Sequence, residues 1–155
     1  HHGGLRVPSL VHWTGKTQAG TFNDNYFTNL DYMPTLLEAI GTDKKPIGID
    51  GRSIFSTCFK PTERLTEIPL FFHYPHFSNQ MGRPSGAVRL GDYKLVESYE
   101  TGKTELYNLT QDISESKDVS KKYPAKSKQL YALLKNWQKE VNANMPIPNP
   151  NYKKK

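Results

Sequence analysis

"GAVRLGDYKLVESYETGKTELYNL", residues 86 to 109, decides the fold. Two apolar runs flank Gly91-Asp92, a dipeptide suited to a two-residue hairpin turn. A second turn at "TGK" leads into "TELYNL". Just upstream, "IPLFFHY" (68–74) is a strongly apolar strand candidate. Three or four strands in such close succession predict an antiparallel meander.

Reading outward from the sheet, the C-terminal side supplies its cover. Pro124 suits the first turn of a helix. Leu130, Leu133, Leu134, Trp137 and Val141 then form one apolar stripe, with Lys128, Lys135 and Lys139 on the opposite face. The spacing predicts a helix over about 124–143, packed on the sheet, followed by an extended proline-rich tail, "MPIPNPNYKKK". On the N-terminal side, "LRVPSLVHW" (5–13) reads as a strand in which His12 is a packed side chain. "TNLDYMPTLLEAIG" (28–41) reads as a helix: Thr28 and Asp31 have capping-box spacing, Met33, Leu36, Leu37 and Ile40 recur at helical period, and Gly41 closes it. A composition shift falls near residue 65. One strand and one helix cannot bury both faces of a layered α/β domain, so the first unit reads as incomplete. The fold class is therefore α+β: the end of a larger α/β domain (1–64), then a small antiparallel sheet packed on a C-terminal helix (65–155).

The bulk numbers agree with a compact chain. The 155 residues are 35% hydrophobic and 23% charged, and no apolar run approaches a membrane span. The +6 net charge is uneven: residues 1–116 hold 11 Lys/Arg against 13 Asp/Glu, residues 117–155 hold 10 Lys against 2 acids. Nucleic-acid binding would require that basic face to be interleaved with aromatics, and the helix back has none. "HHGG" lacks an initiator Met, and its histidines read as tag remnant on a piece of something larger.

The polar chemistry concentrates in "HYPHFSNQMGRPSGAVR" (73–89). Pro75 opposes helix, so His73 and His76 do not share a helical face. A two-histidine metal site would need a carboxylate, and none lies in this stretch, so no metal is assigned. Arg83 and Arg89 can fork onto sulfate, phosphate or carboxylate, while Asn79 and Gln80 can read hydroxyls. Tyr74 and Phe77 offer flat faces to a sugar ring or to the core; Gly82, Pro84 and Gly86 permit a tight, exposed excursion. An ordered loop with satisfied polar groups remains the competing reading. Cys58 is the single cysteine and reads as buried filler. Asn108-Leu109-Thr110 fits a glycosylation acceptor, a pattern common by chance.

Four motifs in order now resemble one family. "GGLRVPSLVHWTGK" resembles the E-G-G-x-R-x-P-x-I-x-x-W-P-G-K segment of sulfatases of the alkaline-phosphatase superfamily, with His1-His2 in place of Tyr-Glu and Thr14 in place of Pro. "DYMPTLLEAIG" is similar to that family's D-x-x-P-T-L-L-E-L-A-G helix, and "IDGRSIF" to its D-G-x-S-L segment. "FFHYPHFSNQMGRPSGAVRLGDYKLVESYETGKTELYNL" resembles the C-terminal subdomain in which W-H-Y-P-H-Y precedes A-V-R-x-G-D-Y-K-L-I.

The resemblance implies a sulfuric ester hydrolase that uses a formylglycine, made from a C/S-x-P-x-R motif, and a calcium ion. Those parts, and a sulfate-contacting Lys before the double glycine, are expected upstream of this chain. "CFKPTER" departs from the motif's spacing, so no catalytic residue and no cofactor are assigned here, and the chain alone is expected to be inactive. It is expected to need the N-terminal catalytic domain as partner, to meet a sulfated carbohydrate or aryl sulfate, and to bind neither nucleic acid nor membrane. The resemblance also implies a periplasmic or secreted location. Residues 73–89 are expected to wall the substrate cleft, with His73 and His76 on sugar hydroxyls and Asn79 and Arg83 supporting a second anionic group. Arg89 is expected to tie the subdomain to its neighbour, and Arg6 to be structural. The alternative is a free-standing module that binds anionic glycans.

Overall fold

The computed structural model describes residues 5–42, 47–79, 82–147 and 149–151. They fall into two compact units, Pro8–Thr66 and a second comprising His1–Val7 with Glu67–Lys155.

The larger unit is the meander. Strands β1 (Leu70–Tyr74), β2 (Ser85–Leu90), β3 (Tyr93–Ser98) and β4 (Thr104–Asn108) form one four-stranded antiparallel sheet in sequence order. Gly91, at φ +60°, makes the predicted β2–β3 turn, and Gly102, at φ +69°, the β3–β4 turn. The register stacks Phe71, Val88, Leu95 and Leu106 across the four strands on one face. Period-two alternation places all four on the same side, and α2 (Pro124–Glu140) lies over them. Leu130 and Leu134 of α2 are fully buried against Val88, Leu95 and Leu106, and Trp137 stacks on Phe71 with ring centroids 4.8 Å apart. Each such aliphatic side chain contributes about 1.5–3 kcal/mol on burial.

Helix α2 departs from expectation at two points. It ends at Glu140, because Asn142 takes a left-handed φ of +49°, and Val141 beyond it is half exposed. Lys135 does not belong to a solvated back. Its Nζ lies 2.6 Å from Glu97, which shares the covered face with Leu95, so the long stem runs along the helix flank to reach a nearly buried carboxylate. On the other face of β3, Lys94 is buried with Glu115, 2.6 Å away.

The Pro8–Thr66 unit contains α1 (Tyr32–Ala39), preceded by a 3-10 turn at Asn29–Asp31 and followed by another at Phe55–Cys58. Asp31 is buried and accepts the backbone N–H groups of Thr28 and Arg52, each at 2.8 Å. Thr35 accepts the Ile54 N–H at 3.0 Å. These bonds fix the 51–58 segment beside the helix start, where a Cβ on Gly51 would collide with the Leu30 carbonyl. The strand expected over 5–13 does not form. Ladder hydrogen bonds need a neighbouring strand: residues 8–13 have none among the described residues of this unit, and residues 5–7, which belong to the other unit, join none of the four strands of its sheet. Leu10 is 87% exposed, and His12, expected to be packed, is exposed as well. Trp13 packs edge-on to Phe59 instead. Leu36, on the predicted apolar stripe of α1, is 62% exposed. Among the described residues no helix is long and apolar enough to cross a membrane.

Candidate functional site

Strand β1 stops where Pro75 removes the next ladder donor. The chain leaves as an irregular loop whose neck is closed by Ser78: its N–H donates to the Gly82 carbonyl at 3.0 Å, and its Oγ accepts the Gly82 N–H at 2.9 Å. A Cβ on Gly82 would lie 2.5 Å from Ser78 Oγ, so any other residue there would have to displace the hydroxyl that closes the neck. The loop returns through buried Pro84, whose carbonyl accepts the Tyr99 N–H at 3.0 Å. Antiparallel pairing thus gathers the end of β1, the start of β2, the end of β3 and the turn at 99–103 on one edge of the sheet.

His73 lies at the root of this edge. Its Nε2 is 2.9 Å from the Asn144 carbonyl, an acceptor only, so Nε2 carries a proton. In the tautomer with that proton on Nε2, Nδ1 accepts from the Tyr99 hydroxyl, 2.6 Å away. That hydroxyl in turn accepts from Gln138 Nε2 at 2.9 Å, and Gln138 Oε1 accepts from Lys135 at 3.2 Å. Burial, reinforced by the Glu97 carboxylate and opposed by Gln138, pushes the Tyr99 phenol up to about 12. The chain of bonds passes over Gly86, which β-pairing sets opposite His73; a side chain at 86 would overlap the Tyr99 hydroxyl. Gly86 is therefore a buried strand residue, not part of an exposed excursion, and Pro84 is buried with it.

The other expected residues stand differently. His76 is exposed, with Tyr74 edge-on at 5.7 Å. Asn79 is exposed on the loop, and Phe77 is 70% exposed. Arg83 points a 76% exposed side chain at Glu100 on the β3–β4 turn, with Nη1 and Oε2 3.4 Å apart. Phe77, Ser78, Gly82, Arg83 and Glu100 line a depression of about 360 Å³. Gln80 lies outside the described residues. Arg89 sits on β2 with its Nε donating to the Gly91 carbonyl at 3.2 Å. Thus Phe77 and Arg83 share one hollow. His73 does not join them, and its two ring nitrogens are committed to Tyr99 and Asn144. A sugar hydroxyl at His73 would have to compete with these two bonds.

Among the described residues of the loop, no nucleophile is paired to a base. Among the described residues no cluster of three His, Cys, Asp or Glu could hold a metal. Cys58 is half-buried with Sγ 3.7 Å from the Ile54 carbonyl, and burial raises its thiol pKa. With that environment and its off-pattern spacing, it does not fit a formylglycine precursor. Sequence reasoning missed Tyr99, Glu100, Gln138 and Asn144; the strand pairing and the Tyr99 N–H bond to Pro84 bring the first two beside the loop.

The family model described as N-sulphoglucosamine sulphohydrolase, C-terminal, matches residues 1–144. A sulfatase of Formosa agariphila is 30% identical over 135 residues, covering 81% of this chain and 24% of that protein. An uncharacterized sulfatase of Escherichia coli is 26% identical over 164 residues, covering 86% of this chain and 29% of its own. The chain thus spans about a quarter of the length of these relatives. A structure solved in complex with its substrate D-glucosamine-2-N,6-O-disulfate aligns with a TM-score of 0.64 at 24% identity, over 84% of this chain and 28% of that one. A 2-O GAG sulfatase aligns at 0.55 and 24%, over 73% and 25%. At such identities the likeness establishes the shared fold.

Proposed function

The chain belongs to the N-sulphoglucosamine sulphohydrolase C-terminal family, the C-terminal portion of sulfatases, and from that premise we propose that it walls the substrate cleft of a sulfuric ester hydrolase. The substrate is a sulfated carbohydrate. Residues 1–64 are the closing part of the α/β catalytic domain, and 65–155 form the subdomain that carries the wall. Formylglycine and calcium belong to the preceding part of the parent protein, which would act in the periplasm or outside the cell. This chain binds neither and does not turn over substrate by itself.

One observation carries the reading: a guanidinium and an aromatic ring, both exposed, line one hollow on a loop pinned at its neck. An arginine fork suits a sulfate or carboxylate, and a ring face suits a pyranose. His76 and Asn79, exposed on the same loop, supply donors for hydroxyls. The sugar disulfate bound by one structural neighbour supports this substrate class.

The test compares two substrates in the full-length parent enzyme. Arg83→Ala should lower kcat/KM for a sulfated disaccharide by about 10- to 100-fold, the equivalent of one lost charge-assisted bond, while a small aryl sulfate is hydrolysed as before. Equal losses on both substrates, or none on either, would refute the wall. If the parent shows no hydrolysis but the chain binds sulfated oligosaccharide, the module reading stands instead.

A further inference from the structure

We infer that Glu100 is a specificity-determining residue which makes the Arg83 hollow selective for a single anionic group flanked by a free hydroxyl on a sugar ring. The inference rests on the cleft-wall reading and names what that wall selects.

The two charged side chains of the hollow are unequally held. Glu100 stands on a turn tied down by Gly102 N–H to the Ser98 carbonyl at 2.8 Å, Ser98 N–H to the Lys103 carbonyl at 2.9 Å, and Tyr99 N–H to the Pro84 carbonyl. Its side chain is 32% exposed, against 76% for Arg83. The contact between them, at 3.4 Å, is longer than the usual range of about 2.7–2.9 Å for a charge-assisted bond, and Arg83 makes no other hydrogen bond among the described residues. The guanidinium is therefore the more exposed partner, and the carboxylate stands on the more firmly bonded segment of backbone. A sulfate or carboxylate can take the free edge of the fork without displacing Glu100.

Once it does, the carboxylate remains within a few ångströms of the incoming group. A bare anion there meets an acceptor facing an acceptor, and like charges so placed repel. A hydroxyl or N–H next to the anionic group removes the conflict by donating to Glu100. Phe77 at the rim supplies the ring face that holds both substituents in one plane. The hollow therefore suits a pyranose bearing one sulfate or carboxylate beside an unsubstituted hydroxyl. A vicinally disulfated ring or a phosphate dianion brings the repulsion without the donor.

Nuclear magnetic resonance titration of the 155-residue chain distinguishes these cases. The probes are two disaccharides of one skeleton, the first with a single ring sulfate beside a free hydroxyl and the second vicinally disulfated. The chain should prefer the first by about tenfold, although the second carries more charge. Glu100→Gln, which keeps the shape and removes the charge, should reduce that preference to below about threefold by improving the second ligand. Arg83→Ala should weaken both, and Lys121→Ala, which removes one positive charge from an exposed position elsewhere, should preserve the ratio. Binding with a ratio unmoved by Glu100→Gln overturns the inference and leaves the wall standing. Absence of shifts at residues 76–83 with either sugar overturns both.

Discussion

Replacing Gly86 by alanine isolates the contact on which the candidate site is built. The new methyl would overlap the Tyr99 hydroxyl and lie 3.0 Å from Tyr99 Cζ and 3.1 Å from Gln138 Nε2. No clearance is available from the backbone, because Gly86 is paired on both sides, to His73 and to Glu97. Tyr99 must turn away, losing its bonds to His73 and Gln138 and leaving two enclosed polar groups short of a partner, at about 1–3 kcal/mol each. Alanine regains roughly 0.5–1 kcal/mol over glycine in a strand. A net loss of about 1–5 kcal/mol is expected, read as a lower urea midpoint at unchanged m-value. Tyr99→Phe, which removes only the hydroxyl, should cost about 1–3 kcal/mol. In the double variant the main obstacle to the methyl is gone, so Gly86→Ala should add less than about 1 kcal/mol there. Strict additivity, or Gly86→Ala at wild-type stability, would refute the account of His73 as an internal anchor. The His73 ring nitrogens give an independent signal: nitrogen chemical shifts should report the tautomer protonated at Nε2 in the wild type and tautomer exchange in Tyr99→Phe.

Three further outcomes follow from the packing and the charges. Glu115→Ala should cost about 3–5 kcal/mol by leaving the Lys94 ammonium buried, whereas Lys94→Met combined with Glu115→Leu should fall near wild type in urea melts. Leu134→Ala, at a fully buried core position, should cost about 2–5 kcal/mol and lower Tm accordingly. On the alkaline side, the Tyr99 phenol is raised from 10 to about 12, so its contribution is complete below pH 10 and is lost as pH rises toward 12. Unfolding midpoints across that range should fall less steeply in Tyr99→Phe, and phenolate absorbance should show one late-titrating tyrosine fewer.

The meander was legible because its signals are local. Gly91-Asp92 and the "TGK" turn specify chain reversals by themselves, and apolar residues two apart declare a shared face. Helix α2 was legible for the same reason, down to Pro124 at its start. The N-terminal strand was not, since apolar and β-branched residues such as Val7, Leu10 and Val11 are compatible with a strand but cannot make one without a neighbour. Lys94 was equally hidden. It alternates with Tyr93 and Leu95 as an outward residue should, and its partner Glu115 stands 21 positions away in a loop. For His73 the residue was legible and its hydrogen-bond partners were not. A histidine beside a proline looks the same in sequence whether it faces a ligand or a tyrosine, and here the deciding groups are 26 and 71 residues distant.

The two ends of the candidate site are held by opposite means, and the difference bears on how it would bind. His73, Tyr99 and Gln138 are joined by bonds of 2.6 and 2.9 Å that consume their donors and acceptors, so they can position the loop but have little left to offer a sugar. Arg83 is the reverse: one long contact to Glu100 restrains it and leaves most of its donors uncommitted. A ligand that engaged Arg83 would break at most a surface pair worth about 0–1 kcal/mol, and could gain about 1.5–3 kcal/mol from each charge-assisted bond it formed. Were the guanidinium locked as tightly as His73, those terms would nearly cancel. Rigidity at the root and looseness at the rim therefore work together: the root fixes where the hollow is, and the rim keeps its cation available.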